Sequence, residues 1–136
     1  MTGFVLDCSV AMTWCFGDET NPYSEAVLQD LADAGAVVPS IWLLEMANVL
    51  LVAERRKRIS KAQSRRFVEL LQTLPIAVDD VSAARAWDGV LSLAREQQLS
   101  AYDATYLELA MREGLPLATA DNALKRAAKR CGVVVR

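Results

Sequence analysis

Four acidic residues carry the chemistry this sequence could do: Asp7, Glu45, Asp103 and Asp121. The chain contains no histidine. That excludes Ser-His-Asp and Cys-His nucleophilic catalysis. It also excludes zinc, copper and non-haem iron sites built on imidazole. A metal site here would be made mainly of oxygen, which suits magnesium or manganese. The three cysteines, Cys8, Cys15 and Cys131, are odd in number and form no CxxC. They read as reduced, mostly buried thiols rather than a disulfide framework or zinc site.

Each acid also has a plainer reading. Glu45 sits in IWLLEMANVLLVAERRKR, where every residue from Ile41 to Ala53 is apolar except Glu45 and Asn48. A helix apolar nearly all round is expected to be buried. A carboxylate buried there must be paired, protonated or bound to a metal. An arginine or backbone amides could satisfy it instead. Asn48 lies three residues on, along the same helix face. Asp7 could cap the helix that follows it. Ser100 and Asp103 match a capping box with Asp in the glutamate position. Asp121 could cap the last helix. If the four converge, they repel: two carboxylates about 4 Å apart at an effective dielectric of 20 cost about 4 kcal/mol. A divalent cation would relieve that cost.

The elements around these acids alternate between short apolar runs and longer helical ones. Phe4-Val5-Leu6 reads as a strand ending at Asp7, followed by a short helix from about Ser9 to Phe16. Pro22 opens a helix that ends near Gly35, with Ala26, Val27, Leu31 and Ala34 at helical spacing. Ala36-Val37-Val38 is a second strand. Ser40 caps a helix from Ile41 to about Lys57, and Ser60 caps the next, to about Leu74. Ile76-Ala77-Val78 is a third strand, and Ser82 caps a helix to about Gln97. Ser100 opens a helix ending at Gly114. Leu115 to Thr119 is a fourth strand. The last helix starts at Thr119 or Asp121 and stops at Gly132, before a terminal strand, Val133-Val134-Val135. Short apolar strands between helices predict an α/β fold with a mainly parallel sheet buried on both faces. Ligands in such sheets bind beyond the carboxyl ends of the strands, near a topological switch point. Asp7 and Asp121 would both lie on that edge.

The length of 136 residues fits a single domain, 1–136. Hydrophobic residues make up 53% and charged residues 24%, enough for a real core. No apolar stretch approaches the roughly 20 residues of a membrane span. The N-terminal MTGFVLDCSV has no basic n-region, so the expected address is the cytoplasm. Net charge is −2, which gives no global attraction to nucleic acid. Arg55, Arg56, Lys57, Arg58, Lys61, Arg65 and Arg66 nevertheless fall in one acid-free window, and Lys125, Arg126, Lys129 and Arg130 form a second run. Such runs are either solvated helix faces or phosphate-contacting surfaces. Trp14, Trp42 and Trp87 are expected to pack in the core or an interface. Tyr102 and Tyr106, four apart on one helix, are also expected to pack, although Tyr102, beside Asp103, could border the site instead.

The segments V-L-D-C-S around Asp7 and Ser9, L-E-M-A-N-V-L around Glu45 and Asn48, L-S-A-Y-D-A-T-Y-L-E-L-A around Asp103, and L-A-T-A-D around Thr119 and Asp121 occur in that order along nearly the whole chain. Together they resemble PIN-domain ribonucleases, specifically the VapC-type toxins of toxin–antitoxin pairs. The resemblance implies a three-layer α/β/α fold and a magnesium- or manganese-dependent endoribonuclease acting on structured RNA such as tRNA or rRNA. It implies a homodimer and a cognate antitoxin that covers the active site. Asp7 and Asp103 would be the most direct metal ligands, with Glu45 and Asp121 completing the cluster. Ser9, Asn48 and Thr119 would be supporting polar residues. A metal held by carboxylates would activate a water and polarise the phosphate. Arg55, Arg56, Lys57 and Arg58 would contact RNA. Two other readings stay open. One is a non-catalytic PIN-like RNA- or protein-binding module. The other is a metal-dependent phosphatase on a doubly wound fold, although Ser9 stands where that class usually carries a second Asp.

Overall fold

The computed structural model describes residues 3–136. Its centre is a four-stranded, all-parallel sheet of β1 (Phe4–Leu6), β2 (Ala36–Pro39), β3 (Ile76–Asp79) and β4 (Leu117–Ala118) in the order β3-β2-β1-β4. The order reverses at β1, which pairs with β2 on one side and β4 on the other. The switch point therefore lies between the ends of β1 and β4, where Asp7 and the Thr119–Asp121 turn emerge.

The helices are α1 (Cys8–Ala11), α2 (Pro22–Ala34), α3 (Ile41–Arg55), α4 (Lys61–Thr73), α5 (Leu91–Gln97), α6 (Ala101–Glu113) and α7 (Asn122–Arg130). They flank the sheet in a three-layer α/β/α arrangement. The core holds Phe4, Val5 and Leu6 from β1, Val27 and Leu31 from α2, Tyr106, Leu107 and Leu109 from α6, and Leu124 from α7. Ser60 caps α4 through a full capping box with Gln63, and Asn21 does the same for α2 with Ser24.

Several elements depart from the sequence pattern. Ser40 precedes α3 but is itself helical in φ and ψ and makes no side-chain cap. Helix α3 ends at Arg55 because Lys57 turns to φ 60, and the Arg58 amide then reaches back to Ala53 O at 2.9 Å. The expected Ser9–Phe16 helix begins at Cys8 and tightens into a 3₁₀ turn over Met12–Cys15. The expected Ser82–Gln97 helix is a 3₁₀ turn (Ser82–Arg85), a π-helical turn (Ala86–Val90) and then α5. Ser82 does not cap it; the Asp79 carboxylate accepts from the Ser82 amide at 2.9 Å. The terminal strand reduces to one bridge, Leu117 to Val135, because β4 offers two residues to pair with.

Burial also differs in two places that matter. Strand β3 lies at the sheet edge, so Val78 is 45% exposed and the strand is not covered on both faces. Helix α3 buries only the stripe Trp42, Met46, Leu50 and Ala53, leaving Leu44 68% exposed. Trp87 is 93% exposed on the π-helical turn and takes no part in the core. No described helix is long and apolar enough to cross a membrane.

Candidate active site

Asp7 follows β1 directly and is buried. Its amide donates to Ala118 O at 2.9 Å, which ties the end of β1 to β4. Although Asp7 stands at the N-cap position of α1, its side chain makes no cap hydrogen bond. Two hydroxyls hold it instead: Ser9 Oγ donates to Oδ2 at 2.6 Å and Thr119 Oγ1 donates to the same oxygen at 2.7 Å. Each hydroxyl also accepts. Ser9 Oγ takes the Ala120 amide at 2.9 Å, and Thr119 Oγ1 takes the Asp121 amide at 3.0 Å. This ladder fastens the loop after β4 onto the turn after β1, and fixes Asp7 and Asp121 relative to each other.

Asp121 caps α7 as well, its Oδ1 accepting from the Leu124 amide at 2.8 Å. The cap reading and the site reading hold for the same residue. For Asp103 the capping box is half made. Ser100 Oγ accepts from the Asp103 amide at 3.1 Å, but the reciprocal bond is not formed, so the Asp103 carboxylate stays half-buried beside the site.

Glu45 is half-buried, not enclosed, so the full burial expected of α3 does not apply to it. Its partner is neither arginine nor backbone. The hydroxyl of Tyr106 donates to Oε1 at 2.5 Å. Tyr106 is fully buried on α6, three residues after Asp103. Its spacing of four from Tyr102 on one helix points to packing alone. The available signal was the phenol, which needs a partner when buried.

The carboxylates register one another electrically. Burial raises the Asp7 carboxyl above its ordinary range, the two hydroxyls oppose this, and the Asp121 charge adds to it. Burial raises Glu45 too, opposed by Tyr106 and reinforced by Asp7 and Asp103. Asp103 is raised by burial and then by Asp7 and Asp121. No lysine or arginine forms an ion pair with any of the four among the described residues. Nor do any three acidic or thiol side chains there stand close enough to hold an ion as they are. The donor set is all hard oxygen and its unbalanced charge is negative. It fits a magnesium- or manganese-like cation that keeps much of its water.

The other expected residues fall outside this cluster. Asn48 is exposed, makes no hydrogen bond to the four acids, and lines a surface cavity of about 290 Å³ with Met12, Phe16 and Arg56. Arg58 is committed to Asp18 and Glu19 at 3.1 and 2.9 Å and stacks on Phe16 with 4.1 Å to the ring centre. Arg55, Arg56 and Lys57 are exposed at the far end of α3. Eleven residues separate Glu45 from Arg56, about 16 Å along the helix axis. The Cys8 thiol is buried against Met46 Sδ at 3.3 Å, and burial with nearby Glu45 pushes it up to about 12, so it is inert. Cys15 and Cys131 are also free but only partly buried.

The PIN domain family matches residues 4–130. The chain belongs to the PIN domain family. No curated protein shows significant sequence similarity to this PIN domain. Among solved structures it is similar to PAE2754 from Pyrobaculum aerophilum, with 23% identity, a TM-score of 0.72, and coverage of 98% of this chain and 90% of that one. VapBC2 from Rickettsia felis, bound to a DNA fragment from their promoter, gives 13% identity and 0.67, with 99% and 98% covered. FitAcB from Neisseria gonorrhoeae gives 20% and 0.66, with 97% and 95% covered. At these identities the likeness establishes the PIN fold.

Proposed function

We propose that this PIN domain, taken as one unit over 1–136, is a divalent-metal-dependent endoribonuclease toxin restrained by a cognate antitoxin in the cytoplasm. The observation that carries this reading is the set of unneutralised carboxylates at the switch point of the sheet, three of them raised by burial and by one another. The VapBC2 and FitAcB neighbours support the toxin–antitoxin setting.

Asp7 and Asp103 would hold a magnesium or manganese ion, with Glu45 and Asp121 completing the shell. When bound, such an ion lowers the pKa of a coordinated water and polarises a phosphoryl oxygen. The chain's own residues do the rest. Ser9 and Thr119 hold Asp7 through one oxygen and so fix its orientation. Asp121 is held through Oδ1 by the helix cap and Glu45 through Oε1 by Tyr106, so each keeps one oxygen that could orient or accept a proton from water. The raised Glu45 carboxyl accepts a proton more readily near neutral pH than an ordinary glutamate does. Arg55, Arg56 and Lys57 supply a positive surface for the RNA backbone. Leu43, Leu44, Leu51, Val68 and Val78 form exposed apolar surface around α3, α4 and β3. Surface of this kind marks protein contacts and supports an antitoxin and a second copy as partners.

The deciding experiment is cleavage of tRNA and rRNA in magnesium or manganese, against the same reaction in EDTA. Cleavage should stop in EDTA and return on adding either ion. Undiminished cleavage in EDTA overturns the reading, and no cleavage under any metal leaves a binding module. The basic surface is tested by Arg55→Glu with Arg56→Glu. Binding of RNA to the double variant should weaken, and its dependence on log salt should flatten by about 1 per lost phosphate contact. An unchanged salt slope removes these residues from the interface.

A further inference from the structure

We infer that Tyr106 is a positioning residue that sets the Glu45 carboxylate in the site through its hydroxyl. The inference rests on the nuclease reading for what Glu45 does, but its geometry stands independently. Glu45 lies on α3 and would otherwise turn freely about its side-chain bonds on a half-exposed face. The Tyr106 ring is fully buried, with core residues Leu107 and Leu109 beside it on α6. A ring held in a close-packed core presents its hydroxyl at a fixed point. At 2.5 Å from Oε1 the contact has the length of an O–H···O⁻ bond to an ionised acceptor.

The phenol carries one proton, and here it goes to Glu45. Among the described residues, the other glutamate oxygen accepts no hydrogen bond, so it is the one free to take a ligand. Tyr106 is one turn from Asp103 on the same helix. One rigid helix thus supplies a carboxylate directly and fixes a second one from α3. Movement of α6 would shift both together, whereas movement of the Glu45 side chain alone would have to break the bond.

The test compares Tyr106→Phe, Glu45→Gln and the double variant. Phenylalanine keeps the buried ring and removes the hydroxyl alone. Manganese binding without RNA, measured calorimetrically, should weaken roughly 10- to 100-fold in Tyr106→Phe, as for loss of a group that orients a metal ligand. RNA cleavage should fall in kcat with KM little changed. In the Glu45→Gln background the same substitution should have no further effect on manganese binding. Wild-type manganese affinity in Tyr106→Phe, or an equal loss with and without the Glu45 carboxylate, overturns the inference. Scalar couplings of the Glu45 side chain in the metal-free wild type provide a readout that needs no variant and no activity. A single rotamer supports positioning, and averaging over rotamers overturns it. If the wild type cleaves no RNA, the nuclease reading falls while the couplings still decide the role of Tyr106.

Discussion

Replacing Asp7 with asparagine is expected to abolish RNA cleavage and, in EDTA, to make the protein more stable. The two effects share one cause. Asp7 is buried, receives two hydroxyl protons on Oδ2, and is raised by burial and by the Asp121 charge. An asparagine oxygen can accept the same hydroxyls, so the ladder joining β1 to β4 survives. What disappears is the negative charge. Turnover should fall by roughly 100-fold or more, since losing even a group that orients a metal ligand costs about 10- to 100-fold. Metal-free stability should rise by about 1 kcal/mol, the common gain when a functional strain is relieved. Thermal midpoints with EDTA and with manganese check both. Manganese should raise the midpoint of the wild type and leave Asp7→Asn unmoved. A variant that still gains stability from manganese removes Asp7 from the ligand set.

The same charges fix a pH dependence. Asp7, Glu45 and Asp103 all lie above their ordinary values in the folded chain. In the range above ordinary carboxylate values, the folded state therefore binds more protons than the unfolded one. Stability then falls as pH rises through the folded pKa values, and is regained as pH falls back through them. Metal-free wild type should accordingly melt higher at mildly acidic pH than at pH about 7, with a shallower slope in Asp7→Asn.

These signs trace back unevenly to the sequence. The strands and the long helices were legible because their apolar spacing and caps are local signals, as at Ser60 and Pro22. Asp7 and Asp121 could be placed on one edge because the order of strands and helices restricts a parallel sheet to few topologies. Glu45 was identified for a reason that the structure corrects. Its helix is not enclosed, and the cost of its charge comes from partial burial with Asp7 and Asp103 as neighbours. Tyr106 reads as packing in the sequence because a hydroxyl's partner sixty-one positions away leaves no local trace. Asn48 shares a helix face with Glu45 in the spacing, yet its side chain lines a surface cavity to which Glu45 does not contribute. The Ser82–Gln97 segment looked like one helix. At the break Arg85 lies against Gly89, where an added Cβ would meet the guanidinium at 3.2 Å, and reaches Glu108 at 2.7 Å, contacts that no local spacing announces.

That reach belongs to an ion-pair network that spacing also concealed, and it yields the largest expected loss of stability. Arg112 on α6 binds Asp79 at the end of β3 at 2.9 Å and Glu108 one turn back at 3.1 Å. Both carboxylates are 7% exposed at the side chain, and Arg112 is 19% exposed. Replacing Arg112 with methionine keeps most of the stem and leaves two enclosed carboxylates, one of them still held by Arg85. Breaking a buried pair from one side costs about 3–5 kcal/mol, and the remaining Arg85 contact places Arg112→Met near the lower end. Against a typical total of about 5–15 kcal/mol, that is a large fraction. Urea midpoints at pH about 7 measure it. Adding Asp79→Asn and Glu108→Gln should recover part of the loss, since the cost lies in the stranded charges rather than in a missing contact. Acid should do the same. The Arg112 guanidinium holds the Asp79 carboxyl down to about 2 from an ordinary 3.8. The stabilisation from this pair is therefore complete above the ordinary value and lost as pH falls through the folded one. The gap between wild type and Arg112→Met should narrow over that interval. Nine residues, about 13 Å of helix, separate Arg112 from Asp103. Cleavage per folded molecule should consequently stay near wild type at low temperature, and a parallel loss of turnover would mean that the network sets the position of α6 in the site as well as its stability.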